Sequence, residues 1–277
     1  MTQPIRQLNT ASQVRMRLWA ENDAADLDWL FLPGGPGIGS ESLIELVDAV
    51  QVPGRAWLVD LPGDGSNLVE VDDPYAAWPQ VLLEAARAVP HPVYVGHSTG
   101  GMYLLSVPEL EQHIQGLVLV SSAPDAAWMA AMGEMVQAHE LPAFNEANAR
   151  YDADPTPERL REVCVASAPW NFGADHLEIG AALLGRMPYN PRAVAWSAKN
   201  FDSTYAHTWW PKKIPTLIVS GTDDRIVTQA LWNDPAFEGA HVLHRRIAGG
   251  AHFAWIENPV AVRDAFAELA ERIAERK

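Results

Sequence analysis

Cysteine is nearly absent from this chain, with Cys164 the only one among 277 residues. A single thiol cannot form a disulfide within the chain, so the sequence excludes a disulfide scaffold and is typical of a reducing compartment. The surrounding residues, REVCVASA, contain no motif that would activate a thiol. We therefore interpret Cys164 as a small buried hydrophobic residue.

Long apolar runs are missing as well. No stretch approaches the ~20 apolar residues that cross a membrane as a helix. The first residues, MTQPIRQLNT, lack the apolar segment of a signal peptide. We therefore predict a cytoplasmic protein with no membrane partner.

Positive charge is scarce too. The chain has 20 Lys and Arg against 35 Asp and Glu, which gives a net charge of −15 at pH 7. Nucleic acids require a basic surface, so this balance excludes a nucleic-acid partner. We expect a small-molecule substrate, and we predict neither a metal nor an organic cofactor. The oligomeric state stays open.

Short apolar runs alternate with longer helical patterns, which is typical of a mostly parallel sheet covered by helices. We predict an α/β fold with strands at residues 28–32, 56–60, 93–97, 117–121, 216–220 and 242–247. The alternating stretch 14–19 is predicted as a strand at the antiparallel edge of the sheet.

Three helix starts are predicted from capping residues. Ser40, Asp73 and Asn258 are the candidate N-caps, and proline follows the last two at the first helical position. The helix after Asn258 is predicted to run to Lys277.

Residues 125–211 break the alternation, because they contain helical patterns but no convincing strand. We interpret them as a helical cap inserted in an α/β core of residues 1–124 and 212–277. Large apolar residues in this segment form either the cap's own core or a wall above the site: Trp128, Trp170, Trp196, Trp209, Trp210, Met129, Met132, Met135 and Met187.

The strongest local signal is the pentapeptide GHSTG at residues 96–100, between the strand VYVGH and the helical stretch MYLLSV. A G-x-S-x-G sequence at a strand-to-helix turn holds its serine in a sharp bend, with the hydroxyl above the sheet edge. Glycine is needed there because a Cβ would meet the neighbouring strand or helix. We predict that Ser98 is a nucleophile.

A serine hydroxyl needs a base that removes its proton. Of nine histidines, His252 follows the last predicted strand, at the same sheet edge as Ser98, and we predict that it is the general base. His97 adjoins the serine, but its side chain is expected to point away from the turn. Asp223 and Asp224 compete as the acid that orients the base, and the G-x-x-D spacing after the strand TLIVS favours Asp224.

Acyl transfer also needs N–H donors for the negative oxygen of the tetrahedral intermediate. The loop PGGPG at residues 33–37 follows the first parallel strand and can present backbone amides. We predict that the amides of Gly35 and Thr99 form this oxyanion hole, with an ordinary glycine turn as the alternative. The loop DLPGDGS at residues 60–66 is interpreted as structural.

Together these segments resemble the α/β-hydrolase family: PGGPG, DLPGDGS, GHSTG, GTDD and GGAHFAWIENP occur in the family's order over nearly the whole chain. The resemblance implies an α/β-hydrolase fold with the triad Ser98, Asp224 and His252. The glycine loop is similar to the HGGPG loop of proline iminopeptidases, with two departures. Pro33 stands in place of the histidine, and Thr99 follows the nucleophile where those peptidases typically have tryptophan.

We expect hydrolysis of a small, largely apolar ester or amide through an acyl-enzyme, and C–C hydrolysis by the same machinery stays open. An aminopeptidase of the proline iminopeptidase type is the main alternative. It would need a cap carboxylate for the substrate's ammonium group, and the candidates are Glu134, Glu140, Glu146 and Asp202. A further alternative is a non-catalytic, ligand-binding relative.

Overall fold

One eight-stranded sheet forms the centre of the computed structural model, which describes residues 4–70 and 73–276. The strands are β1 Arg6–Asn9, β2 Arg15–Glu21, β3 Asp28–Leu32, β4 Arg55–Asp60, β5 Pro92–His97, β6 Gly116–Val120, β7 Thr216–Gly221 and β8 Val242–Ile247. Their order in the sheet is β1-β2-β4-β3-β5-β6-β7-β8. The pairs β1–β2 and β2–β4 are antiparallel, and all later pairs are parallel.

The six predicted parallel strands are confirmed to within one residue at each end. The stretch 14–19 does form an antiparallel strand, but its predicted place at the sheet edge is wrong, because β1 pairs outside it. The sequence of β1, RQLN, is mostly polar and exposed. It therefore lacks the apolar alternation from which a strand is recognised.

Helices cover both faces of the sheet. They are α1 Ile44–Val50, α2 Trp78–Arg87, α3 Thr99–Leu104, α10 Ala254–Glu257 and α11 Pro259–Ala274. Side chains alternate between the faces of a strand, so Trp29 and Phe31 join one apolar cluster with α1 and α11. Leu30 and Leu32 join the other, with α2 and α3. The carboxyl ends of the parallel strands stay free for the site.

The predicted helix starts have mixed outcomes. The Asn258 side chain caps α11 by accepting the N–H of Ala261, as predicted. Asp73 accepts the N–H of Tyr75, although a short 3₁₀ turn precedes α2. Ser40 is not an N-cap: it lies inside a 3₁₀ turn, and its hydroxyl accepts from Arg17.

The C-terminal helix α11 ends at Ala274. Its predicted last residue, Lys277, lies outside the described residues.

Between β6 and β7 the chain forms six helices: α4 Trp128–Ala138, α5 Pro142–Ala153, α6 Pro157–Ala166, α7 Ala168–Asn171, α8 Leu177–Gly185 and α9 Pro191–Asn200. All of residues 125–211 are described, and an isolated bridge between Asp125 and Ala206 is their sole β-pairing. The expected helical character of this segment is thus present. Trp196, Trp209 and Trp210 pack down onto the cluster formed with α2 and α3.

Within residues 4–70 and 73–276, no helix combines the length and the apolarity that a membrane span requires. The same residues contain no group of three or more His, Cys, Asp or Glu side chains placed to hold a metal ion.

Candidate active site

Ser98 occupies the sharp turn between β5 and α3. Its backbone has φ 50° and ψ −123°, in a region that residues with a Cβ seldom adopt. Gly96 and Gly101 permit the turn, because a Cβ on Gly96 would lie 2.6 Å from the Cα of Gly101. The Ser98 N–H donates to the carbonyl of Val120 on the neighbouring strand at 2.8 Å. The turn is thereby fastened to the carboxyl edge of the sheet, as the pentapeptide predicts.

Asp224 faces the imidazole of His252. Nδ1 of His252 lies 3.1 Å from Oδ2 and 3.2 Å from Oδ1 of the carboxylate, and both side chains are buried. The N–H groups of Ile226 and Val227 also donate to Oδ1, at 2.9 and 3.0 Å. A carboxylate held in this way selects the tautomer that is protonated on Nδ1, which leaves the Nε2 lone pair free to take a proton.

Asp223, the competing acid, has different surroundings. Its side chain is exposed, and its Oδ1 accepts from the hydroxyl of Thr222 at 3.2 Å. Its backbone N–H donates to the carbonyl of Gly250, which ties the two loops together. The aspartate that the G-x-x-D spacing favours is thus the one beside His252.

The glycine loop at residues 33–37 presses against the serine turn. A Cβ on Gly34 would lie 2.7 Å from the Cβ of Ser98, so nothing larger than glycine fits without a shift. Gly35 has φ 111°, a conformation that favours glycine, and its carbonyl accepts from the Thr99 hydroxyl at 3.4 Å. The two residues expected to supply oxyanion amides therefore lie side by side above the same turn.

The loop at residues 60–66 supports the glycine loop from below. The Gly37 N–H donates to Oδ1 of Asp64 at 2.7 Å. Asp60, fully buried, accepts the Ser40 N–H and pairs with Arg15 and Arg17 at 2.9 Å each. Burial, with the charge of Asp60 nearby, raises the pKa of Asp64 to about 7. These contacts agree with a structural interpretation of the loop.

His97 does not simply point away from the turn. Its ring centre lies 4.9 Å from that of His252, and its Nε2 is 3.4 Å from the His252 carbonyl oxygen. Burial holds the pKa of His97 well below its ordinary value, and the neighbouring His252 lowers it further. The ring therefore stays neutral behind His252. The sequence could have indicated this contact, because His97 is the last residue of a strand that ends at the site.

A cavity of about 290 Å³ opens above the turn, between the sheet edge and the helices of residues 125–211. The sheet side of its lining includes Ser98, Thr99, His252 and the glycine loop. The opposite side is largely apolar and is formed by Trp128, Met132, Phe144, Val163, Cys164, Trp170 and Leu184, with Ser167 and Asn171 as its polar members.

Cys164 belongs to the wall of this cavity. Burial raises the pKa of its thiol to about 11, so the group is protonated near neutral pH and is a poor nucleophile. This agrees with its interpretation as a small hydrophobic residue.

No acidic residue lies among the described residues that line the cavity. Glu134, Glu140 and Glu146, candidates for holding an ammonium group, are exposed; Glu134 lies on α4, Glu146 on α5 and Glu140 in the turn between them. The fourth candidate, Asp202, accepts a hydrogen bond from the hydroxyl of Ser197 at 2.6 Å. The structure brings none of the four to Ser98.

Comparison with known proteins relates the chain to esterases and iminopeptidase-like proteins. A pimeloyl-[acyl-carrier protein] methyl ester esterase of Xanthomonas oryzae pv. oryzae is 26% identical over 221 residues, covering 79% of this chain and 86% of that protein. A proline iminopeptidase-related protein from Thermus thermophilus has a similar structure over 100% of both chains, with a TM-score of 0.72 and 18% identity. An esterase from Thermogutta terrifontis matches with a TM-score of 0.67 and 17% identity, over 98% of this chain and 99% of that one.

The alpha/beta hydrolase family profile matches residues 29–265. The solved structures share less than a fifth of their residues with this chain, so they speak for the fold alone. The family match extends from the first parallel strand into the last helix, and the chain therefore belongs to the alpha/beta hydrolase family.

Proposed function

We propose that this protein is a serine esterase that cleaves small, largely apolar acyl esters through an acyl-enzyme. One observation carries the proposal. A mostly apolar cavity of about 290 Å³ contains Ser98 and His252 on its floor and no carboxylate among the described residues of its lining. Such a space suits a neutral acyl group beside an activated serine.

In this mechanism the Ser98 hydroxyl attacks the ester carbonyl and gives its proton to Nε2 of His252. Asp224 stabilises the imidazolium that forms, and the amides of Gly35 and Thr99 donate to the negative oxygen. The intermediate collapses as His252 protonates the departing alcohol, which leaves an acyl-Ser98. Water, deprotonated by His252, then attacks the acyl group. As the bond from the acyl carbon to the Ser98 oxygen breaks, His252 returns the proton to that oxygen, which releases the acid and the free serine.

The absence of an acid in the described lining supports an ester over a substrate with a free α-amine. A buried ammonium group costs several kcal/mol unless a carboxylate or several acceptors surround it. The similar proteins named as methyl ester esterases also favour ester chemistry. An aminopeptidase of the proline iminopeptidase type is the competing outcome of the test below.

Residues 125–211 are proposed to act as a cap over a core of residues 1–124 and 212–277. Their helices supply the apolar wall of the cavity, and such a cover excludes water from the acyl site. The cavity is small, so short to medium acyl groups are expected to fit better than long lipids.

The test compares p-nitrophenyl acetate, butanoate, hexanoate and decanoate with prolyl and alanyl naphthylamides. We expect kcat/KM to favour the esters, and to change in graded steps with chain length, since one methylene changes binding by only ~1–3 kcal/mol. Ser98→Ala should remove nearly all turnover. A preference of about a hundredfold for the free-amine substrates, the scale of a lost charged contact, would instead establish an aminopeptidase.

A fluorophosphonate probe separates the enzyme from a ligand-binding relative. The wild type should be labelled at Ser98, and Ser98→Ala should not be labelled. Failure of the wild type both to react with the probe and to cleave any of the esters would contradict the proposal.

A further inference from the structure

A short segment of the cap lies alongside the segment that carries His252. The N–H of His252 donates to the carbonyl of Asn171 at 3.2 Å. Phe172 stacks on Phe253, with ring centres 4.9 Å apart and an interplanar angle of 23°. Residues 171–173 and 251–253 thus contact each other through both backbone and side chains.

Glu257, the last residue of α10, joins these two segments through one carboxylate. Its Oε1 accepts the N–H of Gly173 at 2.5 Å, and its Oε2 accepts the N–H of Ala251, the residue before His252. Glycine leaves room for this contact, because a Cβ at residue 173 would lie only 3.1 Å from Oε1. Each oxygen therefore serves one segment: one the cap, the other the loop that carries His252.

The cap side of this junction continues directly into the cavity wall. Trp170 and Asn171 both line the cavity, and the Asn171 carbonyl is the acceptor for His252. A shift of this part of the wall therefore also moves the backbone of His252. Hydrogen bonds to a charged acceptor are about twice as strong as neutral ones, which makes the carboxylate an effective fastening between the two segments.

We propose that Glu257 is a positioning residue that binds the His252 loop to the cap. It thereby fixes the position of the general base relative to the cavity wall that faces the acyl group. The inference rests on the proposed function, since it assigns Glu257 a part in the same reaction. The contact between Glu257 and Gly173 cannot be recognised from the segment GGAHFAWIENP alone, because Gly173 lies far away in the sequence.

The first variant is Glu257→Gln. The glutamine amide has one acceptor oxygen and presents an NH₂ group to the second N–H, so one of the two hydrogen bonds is lost. We expect kcat on the preferred p-nitrophenyl ester to fall roughly 10- to 100-fold, the effect of losing a hydrogen bond to a charged group. KM should stay within about twofold, because Glu257 does not line the cavity.

The matched control is Glu268→Gln. Glu268 lies on α11, where its carboxylate accepts from both Arg245 Nε and Nη2, remote from the cavity lining. This variant removes a carboxylate of similar engagement and should leave kcat unchanged. A fall in the melting temperature of Glu257→Gln with wild-type kcat would show a purely structural role and overturn the proposal.

The second variant, Gly173→Pro, removes the cap N–H that Glu257 accepts, and the proline ring occupies the space in front of Oε1. Gly173 has φ −66° and Phe172 before it is extended, so proline fits the backbone and deletes one N–H. We expect the same direction of loss in kcat, with the fold retained by circular dichroism. Full kcat in Gly173→Pro would mean that Glu257 acts on the His252 loop without the cap, and the proposed coupling would be wrong.

A readout without turnover separates this inference from the proposed function. The ring protons of His252 are followed by NMR through a pH titration in the wild type, Glu257→Gln and Gly173→Pro. A change in the His252 titration in both variants supports the coupling even if no ester proves to be a substrate. Titration curves identical to wild type in both variants contradict it.

Discussion

The two adjacent aspartates after β7 have the same side chain but differ in burial and in the groups that they contact. Asp224 is buried against Nδ1 of His252, whereas Asp223 is exposed and contacts Thr222. An orienting acid acts through the tautomer and charge of the imidazole, so only a carboxylate within reach of that ring can perform this role.

We therefore expect Asp224→Asn to lower kcat by about 10⁴-fold, the loss that a wrong histidine tautomer causes in serine hydrolases. Asp223→Asn should stay within a few-fold of wild type, because its side chain does not touch His252. Steady-state ester hydrolysis by the two variants is the measurement. The opposite ranking would mean that Asp223 is the acid in the working enzyme.

At the scale of one element, helix α4 presents two different faces. Trp128 and Met132, four residues apart, line the cavity, as side chains at that spacing share one face of a helix. Gly133 follows them in the helix interior, is exposed, and has open space where a Cβ would project. The glycine therefore has no packing role that an alanine would disturb.

Gly133→Ala should raise the free energy of unfolding by about 0.5–1 kcal/mol, the difference in helix propensity between the two residues. Esterase activity should not change. Chemical denaturation followed by tryptophan fluorescence checks the stability.

Gly34→Ala is the contrasting case in a loop. The new Cβ would lie 2.7 Å from that of Ser98, so the substitution should lower kcat sharply.

At the scale of the whole molecule, the burial of the Asp64 carboxyl group makes the stability of the fold depend on pH. Asp64 is 3% exposed, and desolvation and Asp60 raise its pKa to about 7 from an ordinary value of 3.8. Between these two values the folded state holds a proton that the unfolded state has released. The contribution of Asp64 to stability therefore falls as the pH rises from about 4 to about 7, by up to roughly 4 kcal/mol.

Asp64→Asn should remove this dependence, because its amide oxygen still accepts the Gly37 N–H but carries no charge. We expect the melting temperature of the variant, relative to wild type, to increase between pH 5 and pH 8. Thermal unfolding of both proteins across that range is the measurement. A difference that stays constant with pH would show that Asp64 does not titrate there.

Local patterns in the sequence were sufficient for much of the fold. Strand periodicity located the six parallel strands, proline after Asn258 located the start of α11, and the glycines around Ser98 indicated the sharp turn. These features depend on side-chain alternation, capping and backbone sterics within a few residues, so they can be recognised without knowledge of the rest of the chain. The family's motifs added the order of the site segments.

Only the tertiary structure decided which groups meet. It placed Asp224 rather than Asp223 beside His252 and brought the His97 ring close to that of His252. It also left the four candidate carboxylates of residues 125–211 out of the cavity lining. It also joined Glu257 to Gly173, and it paired the polar strand β1 at the sheet edge. These contacts link residues far apart in the chain, and their geometry comes from the packing of whole helices on the sheet, which short-range patterns do not encode.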